Sequence, residues 1–197
     1  MKNSFFAILS RMKLIGRWGL MRNTLKENLA EHSLDTAYIA HALAVIRNIR
    51  FDGNIDEGRV VQLAMYHDAA EIFTGDLPTP VKYFSPDIKD AYKQVEHASL
   101  KRLLTYLPED LRPAYENIMI HRDDGVDAEL WKIVKAADKL SALIKCIEEE
   151  KAGNGEFNRA ATAQEEFLKN MHMPEVECFM SEFLPAFRLT LDEQKSD

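Results

Sequence analysis

Residues 63–80 read LAMYHDAAEIFTGDLPTP, a segment that places His67, Asp68 and Glu71 at the end of an apolar helical stripe before Gly75, Asp76, Pro78 and Pro80 break it. His67 continues the stripe of Val60, Leu63 and Ala64, and Asp68 follows Val61 and Ala64 at helical spacing. Glu71 comes four residues after His67 and three after Asp68, so all the heads can converge above one turn. His32 intrudes in the same way on the stripe Leu29, Thr36, Ile39, Leu43 and Ile46. Asp138 follows Val134 by four residues, at the border of the face made by Leu130, Ile133, Ala137, Leu140, Ile144 and Ile147.

Burying ionisable groups costs several kcal/mol unless each finds a partner. Two imidazoles and two carboxylates aimed at a common core make a mixed nitrogen and oxygen set that suits a divalent transition metal or magnesium, and such a cation would offset that cost. A lone His on an apolar stripe is more often a satisfied core residue, and a bare His-Asp pair is common by chance. The joint pattern across three segments is what points to a metal.

The elements that must position these residues read as helical throughout, with no alternating β-branched run of strand length, so the expectation is an all-α protein. Helices are expected at about 3–14, 28–49, 56–73, 86–107, 110–120, 126–150, 156–171 and 175–189. Asn28 with Glu31 forms a capping-box pattern, and Ser85-Pro86-Asp87 supplies a cap, a proline for the first turn and an acid at the positive end of the dipole. Gly75, Gly125 and Gly153-Asn154-Gly155 act as breakers, and Pro108, Pro113 and Pro174 punctuate later connections.

A chain of 197 residues, 46% hydrophobic, suits one domain over residues 1–197 with a well-buried core. The formal charge of −7 argues against binding a nucleic acid polymer through a basic surface, though a few local Arg and Lys suffice for a small anionic substrate. Cys146 and Cys178 lie in no metal-binding or disulfide spacing, which fits the reducing cytoplasm. No span approaches transmembrane length, so no membrane partner is expected, and the opening MKNSFFAILSRMKLIG reads as an amphipathic first helix.

The order His32, then His67-Asp68, then Asp138, all on expected helices, resembles that of HD-domain metal-dependent phosphohydrolases. The stretches GRWGLMRNTLKENLAEHS, AMYHDAAEIFTGDLPTPVKYF and KAADKLSALIKCIEE are similar to bacterial 5'-deoxynucleotidases of the YfbR type over most of the chain. The last third, after Lys151, offers no chemical motif.

The resemblance implies a compact helical HD-domain fold and one divalent cation (cobalt, manganese, magnesium or similar) held by His32, His67, Asp68 and Asp138. The implied substrate is a deoxyribonucleoside 5'-monophosphate, hydrolysed to deoxynucleoside and phosphate. Arg17 would orient the phosphate, Trp18 would crowd the 2' position against ribose, and Asp76, with Leu77, Pro78 and Thr79, would meet the sugar from a proline-stiffened loop. Asp68 and Asp138 would also touch substrate. Glu71, beside the metal, would handle the proton of the attacking water or of the leaving 5'-oxygen. Lys82 and Arg22 would add positive potential or stay solvated, and His97 and His121 read as surface residues rather than ligands of a second metal. A cytoplasmic homodimer is implied as well. Rival readings are another HD-type phosphohydrolase or phosphodiesterase, and a non-catalytic HD domain that binds metal and nucleotide.

Overall fold

The computed structural model describes residues 3–82, 84–120 and 127–195. Their regular structure is helical, and the only ladder pairing among them is one antiparallel bridge between Gly16 and Asn28. The helices are α1 (Phe5–Leu9), α2 (Leu29–Arg50), α3 (Glu57–Tyr66), α4 (Glu71–Thr74), α5 (Thr79–Lys82), α6 (Pro86–Leu104), α7 (Arg112–Met119), α8 (Ala128–Lys151), α9 (Asn158–Lys169) and α10 (Pro174–Glu182), with short 3-10 turns between some of them.

Local chemistry sets the starts. The Asn28 side chain accepts from the Ala30 and Glu31 amides, and Glu31 accepts from the Asn28 amide, so the capping box that opens α2 is complete. Ser85 Oγ accepts from the Ile88 amide at the head of α6, with Pro86 in the first turn. Besides the segment 56–73, which breaks between Tyr66 and Glu71, two expected helices are interrupted. The segment 3–14 changes to a 3-10 turn at Ser10, whose hydroxyl donates to the Ala7 carbonyl, and 175–189 gives way to a 3-10 turn that holds Pro185 in its first turn. His121, Gly125 and the expected helix start at 126 lie outside the described residues.

The stripe Leu29, His32, Thr36, Ile39, Leu43 and Ile46 is buried as its spacing requires, and α2 packs on α3, α8 and α10. Helix α8 is central, touching α2, α3 and α9, and so is buried on more than one face. The main core joins α2, α3, α8 and α10; a smaller cluster gathers Phe5, Ala69, Leu103, Leu104, Leu107 and Met119 around α1, α6 and α7. Leu63 and Ala64 belong to the first cluster and Ala69 to the second, so the His67-Asp68 segment lies at the seam between them. No helix among the described residues is long and apolar enough to cross a membrane.

Candidate active site

The expected helix over 56–73 ends at Tyr66 and resumes at Glu71, which corrects the placement of His67 and Asp68 inside a continuous helix. His67 Nδ1 takes the Ala64 carbonyl at 2.7 Å, an acceptor that the Asp68 amide would use in an unbroken α-helix. The backbone tightens to spacing-three bonds, Ala69 to Tyr66 at 3.1 Å and Glu71 to Asp68 at 2.9 Å. A carbonyl only accepts, so Nδ1 of His67 carries a proton and Nε2 is the ring atom that faces the site.

His32 is fully buried on α2, its Nδ1 3.1 Å from Ser141 Oγ on α8. With the proton on Nδ1 donated to that hydroxyl, its Nε2 also points into the cluster. His32 Nε2 lies 3.2 Å from Asp138 Oδ1 and 3.6 Å from Asp68 Oδ2, and His67 Nε2 lies 3.1 Å from Asp68 Oδ2. The ligand atoms of His32, His67 and Asp68 all fall within 4.8 Å of one another, and Asp138 joins them on the His32 side.

This donor set fits a divalent cation. Both Nε2 atoms are buried without a hydrogen-bond partner among the described residues, and carboxylate oxygens stand beside each. Burial opposes a charged His67 ring, but the neighbouring Asp68 carboxylate outweighs it and lifts the ring to about 9. Burial likewise pushes Asp68 and Asp138 up, and the two histidines, with Lys139 beside Asp138, hold both well below the usual carboxylate range. The field that favours positive charge on the His67 ring also favours a cation beside it.

Glu71 opens α4 and is 6% exposed, with Oε2 lacking a hydrogen-bond partner among the described residues. Burial first, then the carboxylates of Asp68 and Asp76, push its carboxyl up to about 9 against the opposing pull of Lys82 and Arg17.

A cleft of about 450 Å³ opens from this cluster, lined by His67, Asp68, Glu71 and Asp138 together with Lys93, Glu96, His97, Trp131 and Lys135. His97, read from the sequence as a surface histidine, is exposed but faces this cleft. The helical period of α6 marks it as polar-faced and gives no hint that this face meets the site. Lys82 is paired with Glu96 at 2.8 Å, so the positive charge at the cleft comes instead from Lys93 and Lys135.

Arg17 and Trp18 approach from another side, in the loop before α2, and meet Asp76 from the connection between α4 and α5. Arg17 Nη1 lies 3.5 Å from Asp68 Oδ2, and the Trp18 amide donates to Asp76 Oδ2 at 3.0 Å. Trp18 sits in the left-handed region at φ 59°, between Gly16 and Gly19. Gly75, at φ 73°, ends α4 and turns the chain so that Asp76 can reach Trp18. Leu77 and Pro78 are half-buried beyond Asp76, but Thr79 is exposed and begins α5 rather than continuing a stiff loop, with Pro80 tolerated in that first turn.

Several residues that position the site carry no motif. Glu27 accepts from the Trp18 indole and from Arg17. Buried Glu149 accepts from the Thr24 and Leu25 amides, Asn154 and buried Lys145. Asn154 also donates to the Arg22 carbonyl, Glu156 accepts from the Arg22 amide, and Phe157 packs edge-on against Trp18 at 5.3 Å. The stretch after Lys151 thus latches the loop that delivers Arg17 and Trp18. The signal for the Lys145-Glu149 pair was present as charges at i,i+4, but that spacing is far more common on solvated faces.

The fold recurs in solved structures. An HD-domain phosphohydrolase from Listeria innocua superposes with a TM-score of 0.81 at 23% identity, covering 98% of this chain and 92% of that one. A cyanophage S-2L HD phosphohydrolase, solved with dA and one catalytic Zn2+ ion, gives 0.63 at 22% identity over 96% of this chain and 100% of that one. Helical architecture and the His, His-Asp, Asp cluster together define an HD-domain protein. The sequence is also 48% identical over 196 residues to a 5'-deoxynucleotidase of Pectobacterium atrosepticum, covering 100% of this chain and 98% of the relative. It is 50% identical over 193 residues to the 5'-deoxynucleotidase yfbR of Photorhabdus temperata, covering 98% and 97%. Residues 4–187 match the model of the 5'-deoxynucleotidase YfbR-like family, and the chain belongs to that family.

Proposed function

We propose that this chain is a divalent-metal-dependent 5'-deoxynucleotidase, cleaving deoxyribonucleoside 5'-monophosphates to deoxynucleoside and phosphate and selecting against ribonucleotides. The observation that carries the reading is the convergence, beside the buried Glu71, of two carboxylates and two imidazole nitrogens that have no hydrogen-bond partner among the described residues. The names of the full-length relatives support the substrate class.

His32, His67, Asp68 and Asp138 would hold the cation, which when bound lowers the pKa of a water and draws charge from the phosphoryl group. Cobalt, manganese, magnesium and zinc all suit such a ligand set, and availability decides among them. Ser141 and the Ala64 carbonyl fix the two rings from behind, so each ring presents one nitrogen. Glu71 carries the proton that the leaving 5'-oxygen requires, and the low dielectric around it keeps that proton in place until transfer. Arg17 orients the phosphate from the Asp68 side, while Lys93 and Lys135 add positive charge along the cleft. Trp18 and Asp76, joined through the Trp18 amide, form one wall that reads the sugar, with Leu77, Pro78 and Thr79 behind it. The reading includes one HD domain, a cytoplasmic setting and a homodimer, the last measurable by analytical ultracentrifugation.

The test is phosphate release from matched deoxy- and ribonucleoside 5'-monophosphates with cobalt, manganese or magnesium supplied. Release from the deoxy member of each pair well above the ribo member is expected. Equal rates on both sugars would remove the roles of Trp18 and Asp76, and no release from any nucleotide would leave a non-catalytic metal-binding domain.

A further inference from the structure

The loop of residues 15–28 is closed at its base by the Arg17 amide on the Glu27 carbonyl at 3.0 Å and the Leu29 amide on the Ile15 carbonyl at 2.9 Å. Inside it, one carboxylate meets three groups. Glu27 Oε2 accepts from Trp18 Nε1 at 2.9 Å and from Arg17 Nε at 3.2 Å, and Glu27 Oε1 lies 3.8 Å from His32 Nδ1. The Glu27 side chain is only 12% exposed and the Arg17 side chain 10%, so these bonds form away from bulk water, where they are strong and directional.

A guanidinium is a rigid planar fork, and fixing Nε fixes where the remaining donors point. In this molecule Nη1 then faces Asp68 at 3.5 Å. The indole is held at three places: Nε1 on Glu27, the ring against Phe157, and the residue's own amide on Asp76. These bonds hold Trp18 in the left-handed backbone region, which residues other than glycine rarely adopt. A single buried acceptor therefore sets the orientation of both the phosphate-facing and the sugar-facing side chain.

We infer that Glu27 is a positioning residue that sets deoxyribose-over-ribose discrimination and phosphate orientation by locking Trp18 and Arg17, without touching substrate itself. The inference rests on the reading of Arg17 and Trp18 given above.

Glu27→Gln keeps the side-chain length and one oxygen able to accept from both donors, but it removes the negative charge that makes the bonds to Arg17 and Trp18 charge-assisted and turns the other oxygen into a donor. Its kcat/KM on a deoxynucleoside monophosphate is expected to fall about tenfold or more, the scale of losing one charge-assisted hydrogen bond. The ratio of kcat/KM between matched deoxy and ribo substrates is expected to fall toward that of Trp18→Ala, with helical circular dichroism unchanged. A purely structural role would lower the active fraction, reducing kcat on both sugars alike and leaving KM and the ratio where they were. Should the Gln variant lose its helical signal, Glu27→Asp carries the same comparison, because its shorter arm keeps the charge but cannot span both donors. A wild-type ratio in the folded Glu27 variant, alongside a lowered ratio in Trp18→Ala, overturns the inference alone. A wild-type ratio in Trp18→Ala with a wild-type KM in Arg17→Ala overturns the substrate reading, and this inference falls with it.

Discussion

Replacing Glu149 by Ala removes the acceptor shared by the Thr24 and Leu25 amides at 2.9 and 3.0 Å, Asn154 Nδ2 at 2.8 Å and the Lys145 ammonium. Glu149 is fully buried and Lys145 only 4% exposed, so the substitution leaves an uncompensated buried cation. Breaking a buried pair in this way costs about 3–5 kcal/mol, and the orphaned amides overlap with that figure rather than adding to it. Against a net stability of about 5–15 kcal/mol for a typical domain this is a large share. Urea denaturation followed by circular dichroism at pH 7 measures it. Adding Lys145→Met is expected to recover part of the loss, since the pair is then removed together. A loss below about 1 kcal/mol, the range of a solvated pair, would refute the clasp. The pair also has a pH signature. Burial pushes the Glu149 carboxyl up, but the bonds from Lys145, Asn154, Thr24 and Leu25 overcome it and bring the group to about 2 from an ordinary 4.5. A carboxyl depressed on folding contributes its full stability above the unfolded value and loses it as pH falls toward the folded one. The urea midpoint of the wild type should therefore drop between pH 4.5 and 2 by more than that of Glu149→Gln.

Glu71→Gln removes the proton donor while keeping shape, and turnover is expected to fall about 10²–10⁴-fold with cation binding retained; unchanged turnover would leave Glu71 a bystander. Gly75→Ala meets no atom within 4 Å, so its cost is conformational, about 1 kcal/mol from φ 73°, read as a small shift in thermal midpoint. Asn154→Ala frees the Arg22 carbonyl and loosens the loop, so KM for the nucleotide should rise more than the melting temperature falls.

The sequence patterns that survived in the structure are those with a local cause. Asn28 and Glu31 cap α2, Ser85 and Pro86 open α6, and the apolar stripes of α2 and α8 turn inward with His32 and Asp138 among them. The break at His67 was not legible, because a ring that captures the carbonyl three residues back leaves no trace in hydrophobic period. Nor was the burial of Lys145 and Glu149, which follows from the central place of α8 between α2, α3 and α9. His97 is exposed, as read from the sequence, and the face of α6 that carries it meets the cleft through tertiary packing that the helical period does not encode. Glu27 precedes a helix cap, where an acid ordinarily serves the dipole, and only the closed loop brings Arg17 and Trp18 back onto it.

Metal dependence tests the catalytic assignment most directly. Chelator-treated protein, titrated with manganese or cobalt while phosphate release from a deoxynucleoside 5'-monophosphate is followed, should start inactive and reach full turnover at one cation per chain. His67→Ala should bind no cation and stay inactive throughout. Full turnover in the presence of chelator, or in His67→Ala, would contradict the assignment of His32, His67, Asp68 and Asp138 to a catalytic metal.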